Sequence, residues 1–85
     1  MTNEAPKISA IAAGEMHSLV LAKNGWVYSF GYNSQGQLGH GTTENYCKPK
    51  LVEGMLLHTV TSIAAGRNHS LAVTNKCDVY ACGQD

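Results

Sequence analysis

The chain is 85 residues long, with six Lys and Arg against six Asp and Glu and a charged fraction of only 14%. That is room for one small domain, and too little charge for a nucleic-acid or anionic-membrane surface. The basic residues Lys7, Lys23, Lys48, Lys50, Arg67 and Lys76 are scattered, so no basic patch forms in the sequence.

In chain order, the opening MTNEAPK lacks an apolar secretory core, and no apolar run approaches membrane-spanning length. The chain therefore reads as soluble and intracellular, cytoplasmic or nuclear. Leu19-Val20-Leu21 and Trp26–Phe30 are short runs rich in β-branched and aromatic residues, which predicts two strands. Between them Lys23-Asn24-Gly25 predicts a hairpin, with Asn-Gly supplying the two positive-φ positions of a type I′ turn. Next comes GYNSQGQLGHG, residues 31–41, with glycines at 31, 36, 39 and 41, no Asp, Glu, Lys or Arg, and one histidine, His40. Lys50-Leu51-Val52 and Thr59–Ile63 predict two further strands, with Pro49 suiting a strand start or edge. Between these, Glu53–His58 has the length of a single helical turn, and nothing extends its periodicity.

Sliding the chain against itself shows how these pieces are organised. Ile8–Asn33 and Val60–Asp85 align without gaps at an offset of 52, and ten of the 26 pairs are identical. They include Ile11/Ile63, Gly14/Gly66, His17/His69, Ser18/Ser70, Leu19/Leu71, Val27/Val79, Tyr28/Tyr80 and Gly31/Gly83. A period near 50 belongs to propellers and arrays. In the second copy Cys77 stands where the first has Gly25, which predicts a different or looser turn there.

With this offset the chain resembles the repeat of the regulator of chromosome condensation family. The resemblance rests on Ile11-Ala-Ala-Gly14-Glu-Met-His17-Ser-Leu, Gly25-Trp-Val-Tyr28-Ser-Phe-Gly31 and Asn33-Ser-Gln-Gly36-Gln-Leu-Gly39, with a second partial match from Ile63 to Gly83. It implies an all-β fold: four-stranded antiparallel blades of a β-propeller, seven blades in the family's full ring. Small residues at Ala12-Ala13-Gly14 then suit a strand near a crowded axis. The implied organisation is an N-terminal tail over 1–7, one complete repeat over 8–59 and a partial, truncated second repeat over 60–85. Fewer than about three such units are not expected to stand alone. The expectation is therefore a fragment of an incomplete ring, needing neighbouring repeats or self-association.

The chemical readings of the motifs fall away one by one. A phosphate-binding P-loop needs Lys and Ser or Thr after its second glycine, where Gln37-Leu38 stand. A dinucleotide fingerprint needs G-x-G-x-x-G, and Gly36, Gly39 and Gly41 give the reverse order. The run at 31–41 instead reads as a turn, with Asn33 and Ser34 capping their own backbone and Leu38 as an apolar plug. His17 and His69 read as packed histidines bonding strand backbone on neighbouring blades, with His40 and His58 exposed. Cys77 and Cys82 have no second pair for zinc, and an odd count of three cysteines with no tight spacing argues against a disulfide framework. The triplet Asn68-His69-Ser70 would accept a glycan only on a secretory route, for which the N-terminus gives no signal. No catalytic site, metal or cofactor is expected.

What remains is surface. In the family this chain resembles, the two residues between the Gly and the His of each repeat lie on a loop where partners dock. Here they are Glu15 and Met16, then Arg67 and Asn68, which differ between copies whose flanks match. The expected function is a non-catalytic protein-interaction or scaffold module with a protein partner. The alternative is part of a guanine nucleotide exchange factor for a small Ran-like GTPase, for which Glu15 is the only acid on these tips.

Overall fold

In a computed structural model, which describes residues 7–83, the chain forms two antiparallel sheets placed side by side. The first contains β1 (Ile8–Ala13), β2 (His17–Ala22), β3 (Val27–Gly31) and β4 (Tyr46–Leu51), hydrogen-bonded in that order. After a 3-10 turn at Glu53–Met55 comes the second sheet: β5 (Val60–Ala65), β6 (His69–Thr74) and β7 (Val79–Gly83). Residues 1–6, most of the expected tail, lie outside the described residues, as do Gln84 and Asp85.

The repeat extends to fine detail. β1 and β2 shift register between Ile8 and Ala10, and β5 and β6 do so between Val60 and Ser62, the same place 52 residues on. The Gly14 amide donates to the His17 carbonyl at 2.8 Å, and Gly66 to His69 at 2.9 Å. Such local irregularities recur only when the sequence that specifies them recurs.

The core is made where the sheets meet. Leu21 of β2, Val27 of β3, Val52 after β4 and Val60 of β5 are buried together, with Met55, Ile63 and Ala72 packed against them. Each sheet alone would leave this apolar face wet, so burial here joins the two repeats into one unit.

Three local expectations need correction. The Lys23–Gly25 turn is not type I′: Gly25 has φ +88°, but Asn24 is not in the left-handed region. The Gly25 amide donates to the Ala22 carbonyl at 3.0 Å and the Ala22 amide to the Trp26 carbonyl at 2.9 Å. This is a type I turn closed by a glycine bulge, and the Asn24 side chain accepts from the Trp26 amide instead of flipping its own backbone. The second copy keeps the same turn: Cys77 takes φ +66°, its amide bonds Thr74 at 3.0 Å, and Thr74 bonds Asp78 at 2.9 Å. The Thr74 hydroxyl, accepting from the Lys76 and Asp78 amides, helps hold the non-glycine residue there. Pro49, finally, lies inside β4 and not before it. β4 is an edge strand, and its pairing skips from Ser29↔Lys50 to Gly31↔Tyr46, so no ladder bond is asked of the proline.

Candidate functional site

The loops Gly14–Met16 and Gly66–Asn68 emerge at the same end of the two sheets, each between an outgoing strand and the histidine that starts the next. Glycine is required at 14 because the Gly66 carbonyl and the His17 ring occupy the space a Cβ would need. Gly31 and Gly83, at φ +113° and +102°, let β3 and β7 pass against the backbone of these same loops, at Met16 and Asn68. The tips are thus short turns on a rigid base.

Of the four residues expected there, Glu15, Met16 and Arg67 are exposed and Asn68 is half-buried. The structure brings two of them together. Arg67 Nε lies 3.2 Å from Glu15 Oε2, an ion pair across the two repeats. Met16 stands beside Tyr32, whose amide donates to the Met16 carbonyl at 2.9 Å, and both side chains face solvent in part. An acid, a base, a thioether and an aromatic ring therefore share one end of the molecule.

Beneath the tips the two repeats are clasped by a hydrogen-bond chain that crosses between sheets. The Ser70 hydroxyl donates its one proton to the Gln37 carbonyl at 2.6 Å, so the His17 contact at 2.9 Å must be Nε2–H donating to the Ser70 oxygen. His17 thus reaches into the following repeat, a partner that its repeated position alone did not suggest. Its Nδ1 is buried and finds no hydrogen-bond partner among the described residues. Burial holds the His17 pKa below its ordinary 6.5, outweighing the opposing pull of the His69 backbone.

A second chain of the same form lies next to the first. Ser29 donates to the Leu38 carbonyl at 2.7 Å and so accepts from His40 Nε2 at 2.9 Å. His40 is not the exposed residue its lack of a repeat partner suggested. Burial first, then the charge of Lys50, lowers its pKa. His58 is also partly covered, its ring 4.7 Å from that of Tyr80.

Both chains end on consecutive carbonyls of the glycine-rich run. That run is a wedge: Leu38 is 1% exposed, and Gln37 and Asn33 are fully buried. Asn33 Nδ2 donates to the Thr42 and Glu44 carbonyls, and its Oδ1 accepts from the Leu38 amide at 2.9 Å. Ser34 is exposed, so the capping expected of the pair falls to Asn33. The sequence reading gave Ser29, Ser70, Gln37 and His40 no part in such chains, and Ser70 alone had a signal there, in the repeated G-x-x-H-S.

An apolar cavity of ≈ 200 Å³ lies between the sheets, lined by Leu38, Val52, Met55, Ile63, Leu71 and Tyr80 among others. Among the described residues, no carboxylate, histidine, lysine or arginine lines it. Burial pushes the thiol of Cys82 on its wall up from its ordinary value, which disfavours a thiolate nucleophile.

Two models of the regulator of chromosome condensation (RCC1) repeat match the chain, one over residues 24–73 and one over residues 8–37. The chain belongs to the RCC1 repeat family. It is 44% identical to human protein RCC2 over 69 residues, which is 81% of this chain and 13% of RCC2. Among solved structures, human WBSCR16 matches 99% of this chain with a TM-score of 0.90 and 27% identity, the match covering 21% of that chain. Yeast RCC1 (Prp20), solved with Kap60 bound, matches 98% of this chain at a TM-score of 0.83 and 29% identity, over 21% of its own length. The two sheets are therefore blades of an RCC1-type β-propeller, and the chain spans a small part of the length of these relatives.

Proposed function

We propose that this RCC1-repeat chain is a non-catalytic protein-interaction module whose contact residues are Glu15, Met16, Arg67 and Asn68. In this reading residues 8–59 are one complete repeat and 60–85 the start of a second, working inside the cell, in nucleus or cytoplasm. One observation carries the proposal. The four residues sit at one end on two glycine-tightened turns, over a base fixed by the His17–Ser70–Gln37 chain. Variable, exposed tips on a fixed base are how rigid scaffolds present binding residues. The yeast relative is itself a protein solved in complex with a protein, Kap60.

The exchange-factor reading asks an acid on these tips to act on a GTPase. Glu15 is the only acid among the four tip residues, and Met16 and Asn68, which precede the two histidines, are not acidic, so the interaction reading is the one we favour. A pull-down comparing the wild-type chain with the fourfold variant Glu15→Ala, Met16→Ala, Arg67→Ala, Asn68→Ala is expected to lose its protein partner in the variant. Undiminished capture by the variant would contradict the assignment. Acceleration of nucleotide release from a small GTPase, lost in the same variant, would replace it with the exchange reading.

A further inference from the structure

Two Ser–His pairs of the same form hold the glycine-rich run, and they differ in what the second ring nitrogen meets. In each, the serine gives its one proton to a carbonyl of the run, so the histidine donates from Nε2 and carries its lone pair on Nδ1. A proton taken up from water must therefore enter at Nδ1 in both. His40 lines a small surface cavity of ≈ 100 Å³ with Lys50 and Glu53, so a proton gained there is met by water and by the field of the Glu53 carboxylate. His17 Nδ1 is sealed. It is buried without a partner among the described residues, and its ring fits against Gly14 at the spot that the Gly66 carbonyl also approaches. From the second sheet His69 faces it, a like charge when both rings are protonated. The His69 carbonyl favours the charged ring but already accepts from the Gly66 amide at 2.9 Å, and burial outweighs it. Glu15 and Arg67, on the loops above, are engaged with each other, and β1, Gly31 and Gln37 bring no ionisable side chain. A charged donor sealed in this way is far costlier than an exposed one.

We propose that His17 is an acid-labile latch: a proton entering at Nδ1 turns the ring out to water, breaks its bond to Ser70 and lets the tip Gly14–Met16 part from Gly66–Asn68. The opening is local. At the opposite end of the joint the Val60 amide still donates to the Gly25 carbonyl at 3.1 Å, and Leu21, Val27, Val52 and Val60 remain packed. Across the tips themselves only the exposed Glu15–Arg67 pair is left, and such a pair is too weak to hold two loops together. The open form takes up its proton at the ordinary histidine value of 6.5, and the closed form resists it. The open share therefore grows as pH falls below 6.5, by up to about tenfold per unit. His40 keeps its bond to Ser29 when protonated and is no latch. Where the tips make the partner contact proposed above, that contact becomes acid-labile. This consequence rests on that function; the latch does not.

Spin labels on Met16→Cys and Asn68→Cys, in a chain carrying Cys47→Ser, Cys77→Ser and Cys82→Ser, read the tip separation by electron paramagnetic resonance. One narrow distance is expected at about pH 7.5, with a second, longer one whose share grows at least several-fold down to about pH 5.5. His17→Gln keeps a neutral donor that cannot titrate and should hold the short distance at both pH values. Ser70→Ala removes the acceptor and should show the longer distance already at about pH 7.5. His40→Gln should respond as the parent chain does. A tip distance that ignores pH would overturn the latch, as would a response that survives His17→Gln or one that His40→Gln abolishes. Circular dichroism over the same range separates the latch from acid unfolding: β-structure is expected to persist while the tips part, and its loss in step with them would also overturn the proposal.

Discussion

Val27 and Val79 occupy the same position in two copies of one motif, yet Val27 belongs to the core and Val79 is mostly solvent-exposed. Nothing in their strands explains this, since β2–β3 and β6–β7 pair in the same register. The difference is the neighbours. Val27 is covered by Val52, whose amide bonds its carbonyl at 2.8 Å, and by Val60 of the next repeat. In a repeat protein a residue is a core residue through its place in the stack as much as through its type.

Glycines 14 and 66 sharpen the comparison most. A Cβ at Gly14 meets the backbone carbonyl of Gly66, which cannot rotate away, whereas the nearest atoms to a Cβ at Gly66 are those of the His69 ring. In urea titrations Gly14→Ala should cost about 3 kcal/mol and Gly66→Ala about 1 kcal/mol. Equal losses would break the asymmetry between the blades. The valines come next: Val27→Ala should cost about 2 kcal/mol, and Val79→Ala in dilute solution less than about 0.5 kcal/mol.

The turns give a smaller contrast of opposite sign. Gly25→Ala forces a side chain into φ +88° against Thr59 and should destabilise by about 1–2 kcal/mol. Cys77→Gly relieves φ +66° and should stabilise by about 0.5–1 kcal/mol. A Cys77→Gly chain no more stable than the wild type would mean that the Thr74 hydroxyl bonds have already removed the strain. The last difference is one of pH. His17 and His40 are both held below their unfolded value of 6.5, so each contributes stability that is present above pH 6.5. That contribution is lost as pH falls below 6.5 through the folded pKa. The midpoint of urea unfolding should drop across this range, and His17→Gln with His40→Gln should flatten the profile.

Much of this was legible in the sequence, because the 52-residue self-match carries the blade topology with it. The first hairpin's strands and the apolar plug Leu38 could be read from the pattern; β4 begins at Tyr46, ahead of the strand expected from Lys50, and the loop position of the four tip residues came from the family resemblance. Contacts between copies were harder to read. Alignment shows His17 and His69 as equivalents, and equivalence says nothing of the fact that His17 bonds Ser70, the residue after its own counterpart. Ser29 and His40 were hidden for a different reason: they are unmatched residues whose pairing depends on the fold of the glycine-rich run. The Asn24-Gly25 turn was misread because Asn24 has a backbone donor within reach of its side chain, a local choice that dipeptide statistics do not contain.

His17 and Ser70 clasp the two repeats together, and a double-mutant cycle measures that clasp. Unfolding free energies for the wild type, His17→Ala, Ser70→Ala and the double variant should give a coupling energy of about 1–2 kcal/mol. A coupling indistinguishable from zero would mean that the hydrogen bond does not hold the blades together, and that the base beneath the tips is not fixed in the way described.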